Sequence, residues 1–228
     1  MQRLWHRTRQ EQHDHHLRDG RAPVFDEGQP IRTELARFLI DKILRRHLTK
    51  RPLRFVELGC GSADITGPYS NGRWLVDTAN NPDGPPWAGY DSGDPEMVID
   101  RRIEVNGYDV VPAAREVCAT RWPNLLFTLG PVEEASPYPC DILVMTEFLE
   151  HLYDPWSVVR QWMPHANFAI IGHPLNEPTP PFERGHIWTY ELADWYAWFG
   201  EFGWSVEEVY RFPMGPYPEM VLGWGRRP

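Results

Sequence analysis

From Leu53 onward, short β-rich apolar runs alternate with stretches whose apolar residues fall at helical spacing. Leu53–Leu58 (LRFVEL), Glu104–Tyr108, Leu125–Leu129, Asp141–Met145 and Phe168–Gly172 read as strands, and Ala113–Arg121, Pro155–Met163 and Thr189–Phe202 as helices between or after them. Parallel neighbours need a long crossover connection, which a helix supplies. The alternation therefore predicts an α/β chain with a mostly parallel sheet covered by helices on both faces. Two final runs, Trp204–Tyr210 and Met220–Trp224, have only a turn between them and are expected to pair antiparallel at one edge. The expected sheet has seven strands, with one antiparallel edge strand.

Two regions stand outside this rhythm. Residues 1–50 read as an N-terminal helical extension or cap: a polar arm over 2–19, a breaker-rich loop from Gly20 to Pro30, and a helix over Ile31–His47. His13, His15 and His16 in the arm read as an exposed cluster, with metal binding as the alternative. Residues 51–228 form the main domain, interrupted at about 66–103 by a Gly- and Pro-rich loop without periodicity. A loop of that length inside a compact domain is usually functional, and it is read as packing near a ligand.

The formal net charge of −9 argues against a general nucleic-acid binder, which would present a basic face. The local exception, Lys42, Arg45, Arg46, Lys50, Arg51 and Arg54, reads as a solvated helix end and its exit loop. Cys60, Cys118 and Cys140 show no zinc-like or redox spacing, so free thiols in a reducing compartment are expected. The first residues lack the apolar core of a signal peptide, and no apolar run is long enough to cross a bilayer. The expectation is a cytoplasmic protein with no membrane partner.

The first strand runs into Phe55-Val56-Glu57-Leu58-Gly59-Cys60-Gly61-Ser62-Ala63-Asp64. Glycines in such a bend let backbone approach a ligand closely. A dinucleotide site would need a third glycine where Asp64 stands, and a carboxylate there repels a diphosphate. The stretch instead resembles the first motif, E-x-G-x-G-x-G, of the class I S-adenosyl-L-methionine (SAM)-dependent methyltransferases, with Ala63 replacing the last glycine. A positive φ at Ala63 would carry a penalty.

That resemblance implies a Rossmann-like fold with SAM as cofactor, contacted by Glu57, Gly59, Cys60 and Gly61. Asn106-Gly107-Tyr108-Asp109-Val110 resembles the second motif, which implies that Asp109 and Val110 meet the ribose. A carboxylate there can accept both hydrogen bonds of the diol, the alternative being a helix N-cap. After the third strand the family's adenine acid is displaced, leaving Val132 or Glu133. Thr146, ending the fourth strand, completes the cofactor set.

Asp141 to Pro155 resembles the fourth-strand segment of small-molecule and quinone methyltransferases, D-x-x-x-x-x-E-x-L-E-H-x-x-D-P. A helical turn would place Glu147, Glu150 and His151 on one face. His173, and His186 within an H-x-x-T run that resembles the same families, are expected at the same mouth. Three roles stay open. In the first, His151, His186 and Glu147 are acid–base or substrate-orienting groups, since imidazole titrates near neutrality. The E-x-x-E-H segment with a later His also resembles the divalent-metal set of small-RNA 2′-O-methyltransferases. Structural capping without chemistry is the third. Thr146-Glu147-Phe148-Leu149 is not the (N/D)-P-P-(Y/F) element of adenine-N6 enzymes, and Pro139-Cys140 lies at the wrong end of its strand for a cytosine-C5 nucleophile.

The favoured function is methyl transfer from SAM to a hydroxyl, less so an amine or carboxylate, of a small-molecule acceptor, with the insertion, the N-terminal helices and the Trp188–Trp204 region walling its pocket. The competing readings are a metal-assisted RNA 2′-O-methyltransferase and a non-catalytic SAM-fold binding protein.

Overall fold

The computed structural model describes residues 2–3, 30–47, 52–71, 103–178, 185–214 and 217–228. Seven strands form one sheet: β1 (Leu53–Leu58), β2 (Ile103–Asp109), β3 (Leu126–Leu129), β4 (Cys140–Thr146), β5 (Ala166–Pro174), β6 (Ser205–Met214) and β7 (Tyr217–Arg226). Their spatial order is β3-β2-β1-β4-β5-β7-β6. β3 through β5 are parallel, and β7 runs antiparallel to both β5 and β6. The closing hairpin does occupy one edge, and its reversed strand, β7, lies second from that edge.

The order reverses between β1 and β4: the chain winds outward through β2 and β3 on one side and through β5 on the other. Open α/β sheets bind ligands in the crevice at the carboxyl ends of the strands flanking such a reversal. Here those ends are Leu58-Gly59 and Thr146.

Strand residues alternate between two apolar layers, as a period of two requires. Phe55, Ile142, Val144, Ile170 and Leu222 face one layer with Leu35, Leu39, Ile40 and Ile43 of helix α1 (Pro30–His47). Val56, Leu143, Met145, Ile171 and Val221 face the other. That layer holds Val158, Val159 and Trp162 of α4 (Pro155–Trp162) and Trp195, Trp198 and Phe199 of α5 (Leu192–Gly200). The sheet is covered on both faces. β7 accepts α5 closely because it presents bare backbone: a Cβ on Gly223 would stand 2.9 Å from the Trp195 ring, and one on Gly225 2.5 Å from Phe199.

Local chemistry sets the helix boundaries. Asp154 caps α4, its carboxylate accepting from the Ser157 N–H at 3.0 Å, with Pro155 at the first turn, where a missing N–H does no harm. α4 ends at Trp162, and Met163–His165 continues as a 3₁₀ turn around Pro164. The last helix was expected from Thr189 but starts at Leu192. Asp194 accepts from the Glu191 N–H at 2.9 Å there, and Trp188–Thr189 instead pairs antiparallel with Gln2–Arg3. α3 (Pro112–Arg121) follows β2.

The stem of the inserted segment is ordered: Gly67–Ser70 forms one short helix, α2. Tyr69 is buried edge-on against Phe55, and its hydroxyl donates to Asp41 (3.1 Å) and to the Arg37 carbonyl (3.2 Å) of α1. The rest of the insertion and most of the N-terminal arm, including the histidine cluster, lie outside the described residues. Within the basic stretch, Lys42 and Arg46 pair with Glu208 (2.6 and 3.2 Å), and Arg54 with Glu104 (3.3 Å). No helix among the described residues is long and apolar enough to cross a membrane.

Candidate functional site

The bend after β1 is held by β2. The N–H groups of Gly59 and Cys60 both donate to the Tyr108 carbonyl, at 2.9 and 3.0 Å. Gly59 and Gly61 have φ of 68° and 49°, and Ala63, where the motif would carry glycine, has φ of 53°. The left-handed backbone expected at Ala63 is therefore present, at a penalty of about 1–2 kcal/mol for a residue with a Cβ. The side of Gly59 that lacks a Cβ is filled by the Phe148 ring, 2.4 Å from where that Cβ would stand. At Gly61 nothing lies within 4 Å, so the bend is open there.

Asp109 closes the bend from β2. Its Oδ2 accepts from the Gly61 N–H at 2.8 Å and its Oδ1 from the Val111 N–H at 2.9 Å. Burial pushes its carboxyl above the usual range, opposed by backbone N–H donors from Val111, Gly61 and Val110. The N-cap position of α3 belongs to Val111, so Asp109 is not the helix cap. The Gly130 N–H donates to the Asp109 carbonyl at 2.9 Å, which brings the loop carrying Val132 and Glu133 beside it. Val132 is buried and Glu133 half-buried.

Glu57 and Cys60 point away from the opening. Glu57 is buried and its Oε2 accepts from the Thr66 hydroxyl at 2.5 Å and the Thr66 N–H at 3.2 Å, tying the bend to the stem of the insertion. Burial, only partly offset by those bonds, raises its carboxyl to about 7. The Cys60 thiol is packed against Gly107, where a Cβ would meet its sulfur at 2.7 Å, and burial raises it well above the ordinary thiol range. Cys60 thus offers the opening its backbone. Asp64 binds Arg121 at 2.6 Å, so the position that a dinucleotide site keeps bare is an ion pair.

The fourth-strand segment departs from the expected helical turn. Thr146 is buried at the tip of β4, and Glu147 then takes a left-handed φ of 51° while its N–H donates to the Gly172 carbonyl at 3.0 Å. A 3₁₀ turn, Leu149–His151, follows. The left-handed step breaks the helical face, and Glu147 falls outside the group that Glu150 and His151 form with His186. One ligand atom from each of Glu150, His151 and His186 lies within 4.8 Å of the others.

His186 is brought there from far along the chain. The Ile187 N–H donates to the Glu150 carbonyl (2.8 Å), the Trp188 indole to the Leu152 carbonyl (2.9 Å), and the Tyr190 hydroxyl to the Leu149 carbonyl (3.0 Å). The His151 and His186 rings meet edge to face at 4.6 Å. The His186 Nδ1 stands 2.5 Å from Glu177 Oε2, with both side chains fully buried. Two imidazoles and a carboxylate, one imidazole backed by a second carboxylate, fit a divalent cation with open coordination positions. They equally fit a proton acceptor beside a substrate hydroxyl.

His173 is elsewhere. It is fully buried against Tyr190 (4.3 Å between ring centroids), next to the Pro174 carbonyl through Nδ1 (3.1 Å), and its Nε2 accepts from the Trp198 indole at 3.4 Å. Burial lowers it to about 4, so it is a neutral packing group. Of the three imidazoles expected at one mouth, two converge. Glu177 was missed from sequence because nothing in the Pro-rich run around it singles out one acid.

No protein-family model matches the chain, and no curated protein matches it in sequence. Solved structures do. The N-methyltransferase NodS of Bradyrhizobium japonicum WM9, in complex with S-adenosyl-L-homocysteine, superposes with a TM-score of 0.64 over 93% of this chain and 98% of its own, at 13% identity. The SAM-bound magnesium protoporphyrin IX methyltransferase ChlM of Synechocystis PCC 6803 gives 0.56 over 86% and 82%, also at 13% identity. A methyltransferase-like protein of Bacillus halodurans C-125 gives 0.55 over 83% and 98%, at 11% identity. The strand order, the bend after β1 and these superpositions agree: the chain has the fold of the class I SAM-dependent methyltransferases.

Proposed function

We propose that this chain is a SAM-dependent methyltransferase acting on a hydroxyl of a small-molecule acceptor. The observation that carries the reading is the pairing of the Asp109 carboxylate with the Gly61 N–H across the tips of β1 and β2, at the reversal of strand order. When bound, SAM supplies an electrophilic sulfonium methyl. Asp109 would hold the ribose diol, the Gly59–Gly61 backbone the methionine moiety, and Val110, Val132 and Glu133 the adenine. Thr146 would hold the same ligand from β4.

His151 and His186 occupy the acceptor side. In-line displacement gains most from alignment, and an imidazole placed to take the hydroxyl proton adds about 10²–10⁴-fold. Buried Cys60, Cys118 and Cys140, all free thiols, suit a cytoplasmic setting. Isotope-labelled SAM incubated with the protein and a panel of hydroxylated, amino and carboxylic metabolites tests the reading. Label transferred to a hydroxyl supports it; calorimetry showing no SAM binding by the folded chain overturns it.

The convergence of Glu150, His151 and His186 favours a second reading, divalent-metal-assisted methylation of a ribose 2′-hydroxyl of RNA. These residues would hold the ion, and the ion would polarise the acceptor hydroxyl. Activity on RNA 3′ ends that is lost with EDTA and restored by Mn²⁺ selects this reading, and EDTA-insensitive methylation of a metabolite removes it.

A further inference from the structure

We infer that Glu177 is a positioning residue that holds the His186 ring with Nδ1 protonated and its Nε2 lone pair turned toward Glu150 and His151. The inference rests on reading that group as the acceptor side of the site.

Several features place Glu177 there. β5 ends at Pro174; Leu175 is then fixed by its N–H to the Glu219 carbonyl (2.9 Å) and by a bridge to Tyr190. Asn176 takes a left-handed φ of 54° while its N–H donates to the Tyr190 carbonyl at 2.9 Å. The chain bends at that residue, and Glu177 is buried at 5% exposure. Asparagine adopts that left-handed conformation readily, and its result here is a buried acid.

The carboxylate has little structural reason to be inside. Its Oε2 meets His186 Nδ1 at 2.5 Å, and its Oε1 has no hydrogen-bond partner among the described residues. Structural carboxylates in proteins usually satisfy several donors, as Glu57 does here with the Thr66 hydroxyl and N–H. Among the described residues the carboxylate's one hydrogen-bond contact is to an imidazole, the arrangement by which carboxylates fix the tautomer of a histidine whose other nitrogen does the work. The backbone agrees: the Ile187 N–H, next in chain to His186, is anchored to the Glu150 carbonyl at 2.8 Å, which holds the His186 backbone beside Glu150.

The test is ¹⁵N NMR of the full chain with labelled histidine at pH 8, the His186 signals being assigned with His186→Gln. The expected ring has a protonated Nδ1 and a bare Nε2. Glu177→Leu should scramble the tautomer and weaken Mn²⁺ binding, read by electron paramagnetic resonance, by about 10–100-fold. Glu177→Gln keeps an acceptor and should retain the tautomer, with less than a tenfold loss. SAM affinity should stay within about twofold in both variants, since neither touches the Asp109 side. A wild-type ring protonated on Nε2 or on both nitrogens overturns the inference, as does an unchanged tautomer in Glu177→Leu. If Glu177→Leu does not fold, the wild-type tautomer and the Glu177→Gln comparison decide alone. The expected tautomer in a chain that binds no Mn²⁺ supports Glu177 in this role and removes only the metal reading. The expected tautomer in a chain that binds no SAM supports it likewise and removes only the methyltransferase reading.

Discussion

The Asp109 carboxylate and the Gly61 N–H are 2.8 Å apart, joining the ends of two adjacent parallel strands through a side chain rather than through the sheet ladder. The same carboxylate accepts from the Val111 N–H at 2.9 Å, so both of its oxygens are held in place. Asp109→Asn replaces one accepting oxygen with a donor. SAM affinity is expected to fall by about 10–100-fold, the scale of one charge-assisted hydrogen bond. Isothermal titration calorimetry reads it directly, and an unchanged Kd would remove Asp109 from the ribose.

His151→Ala and His186→Ala are expected to lower methyl transfer by about 10²–10⁴-fold while SAM affinity stays within about twofold. That split separates the acceptor side from the cofactor side. Full activity in both variants would reduce the pair to packing.

Glu57 makes stability depend on pH. Its folded carboxyl is raised from 4.5 to about 7, so between these values the folded chain holds a proton that the unfolded chain has lost. Stability therefore falls as pH rises from about 4.5 to 7 and levels off above. The full swing from this group is on the order of 3 kcal/mol. Glu57→Gln, which cannot titrate, should flatten this window in urea denaturation at pH 5 and 7.5; parallel slopes in the two proteins would refute the assignment.

Two glycines should fail in different ways when given a methyl group. Gly223→Ala places its Cβ 2.3 Å from the Glu208 carbonyl oxygen and 2.9 Å from Trp195, and should lose about 1–3 kcal/mol in chemical denaturation. Gly61→Ala meets no atom within 4 Å. It should lose only the left-handed penalty of about 1–2 kcal/mol while blocking SAM. Equal stability losses with SAM binding retained in Gly61→Ala would mean that the opening lies elsewhere.

The sheet was legible because its signals are local. The apolar run of β4, the proline opening α4 and the glycine bend each act over a few residues, and Ala63 announced its strain by standing where a glycine is expected. The site was legible in part. His151 sits beside the strand tip that periodicity locates, whereas bringing His186 to it depends on bonds spanning 36 and 41 residues. His173 does lie at the tip of β5, but alternation of strand faces turned it into the aromatic layer. Glu147 and Asn176 adopt left-handed backbone without any glycine to flag it, so neither the broken helical face nor the inward turn of Glu177 could be read beforehand.

The donors that run from Ile187, Trp188 and Tyr190 to the carbonyls of Glu150, Leu152 and Leu149 rivet two distant stretches into a single plate. Tyr190 extends that plate to α5, its ring standing 5.7 Å from Trp198. A load on the turn that carries His151 is therefore shared with a helix rather than absorbed by one loop.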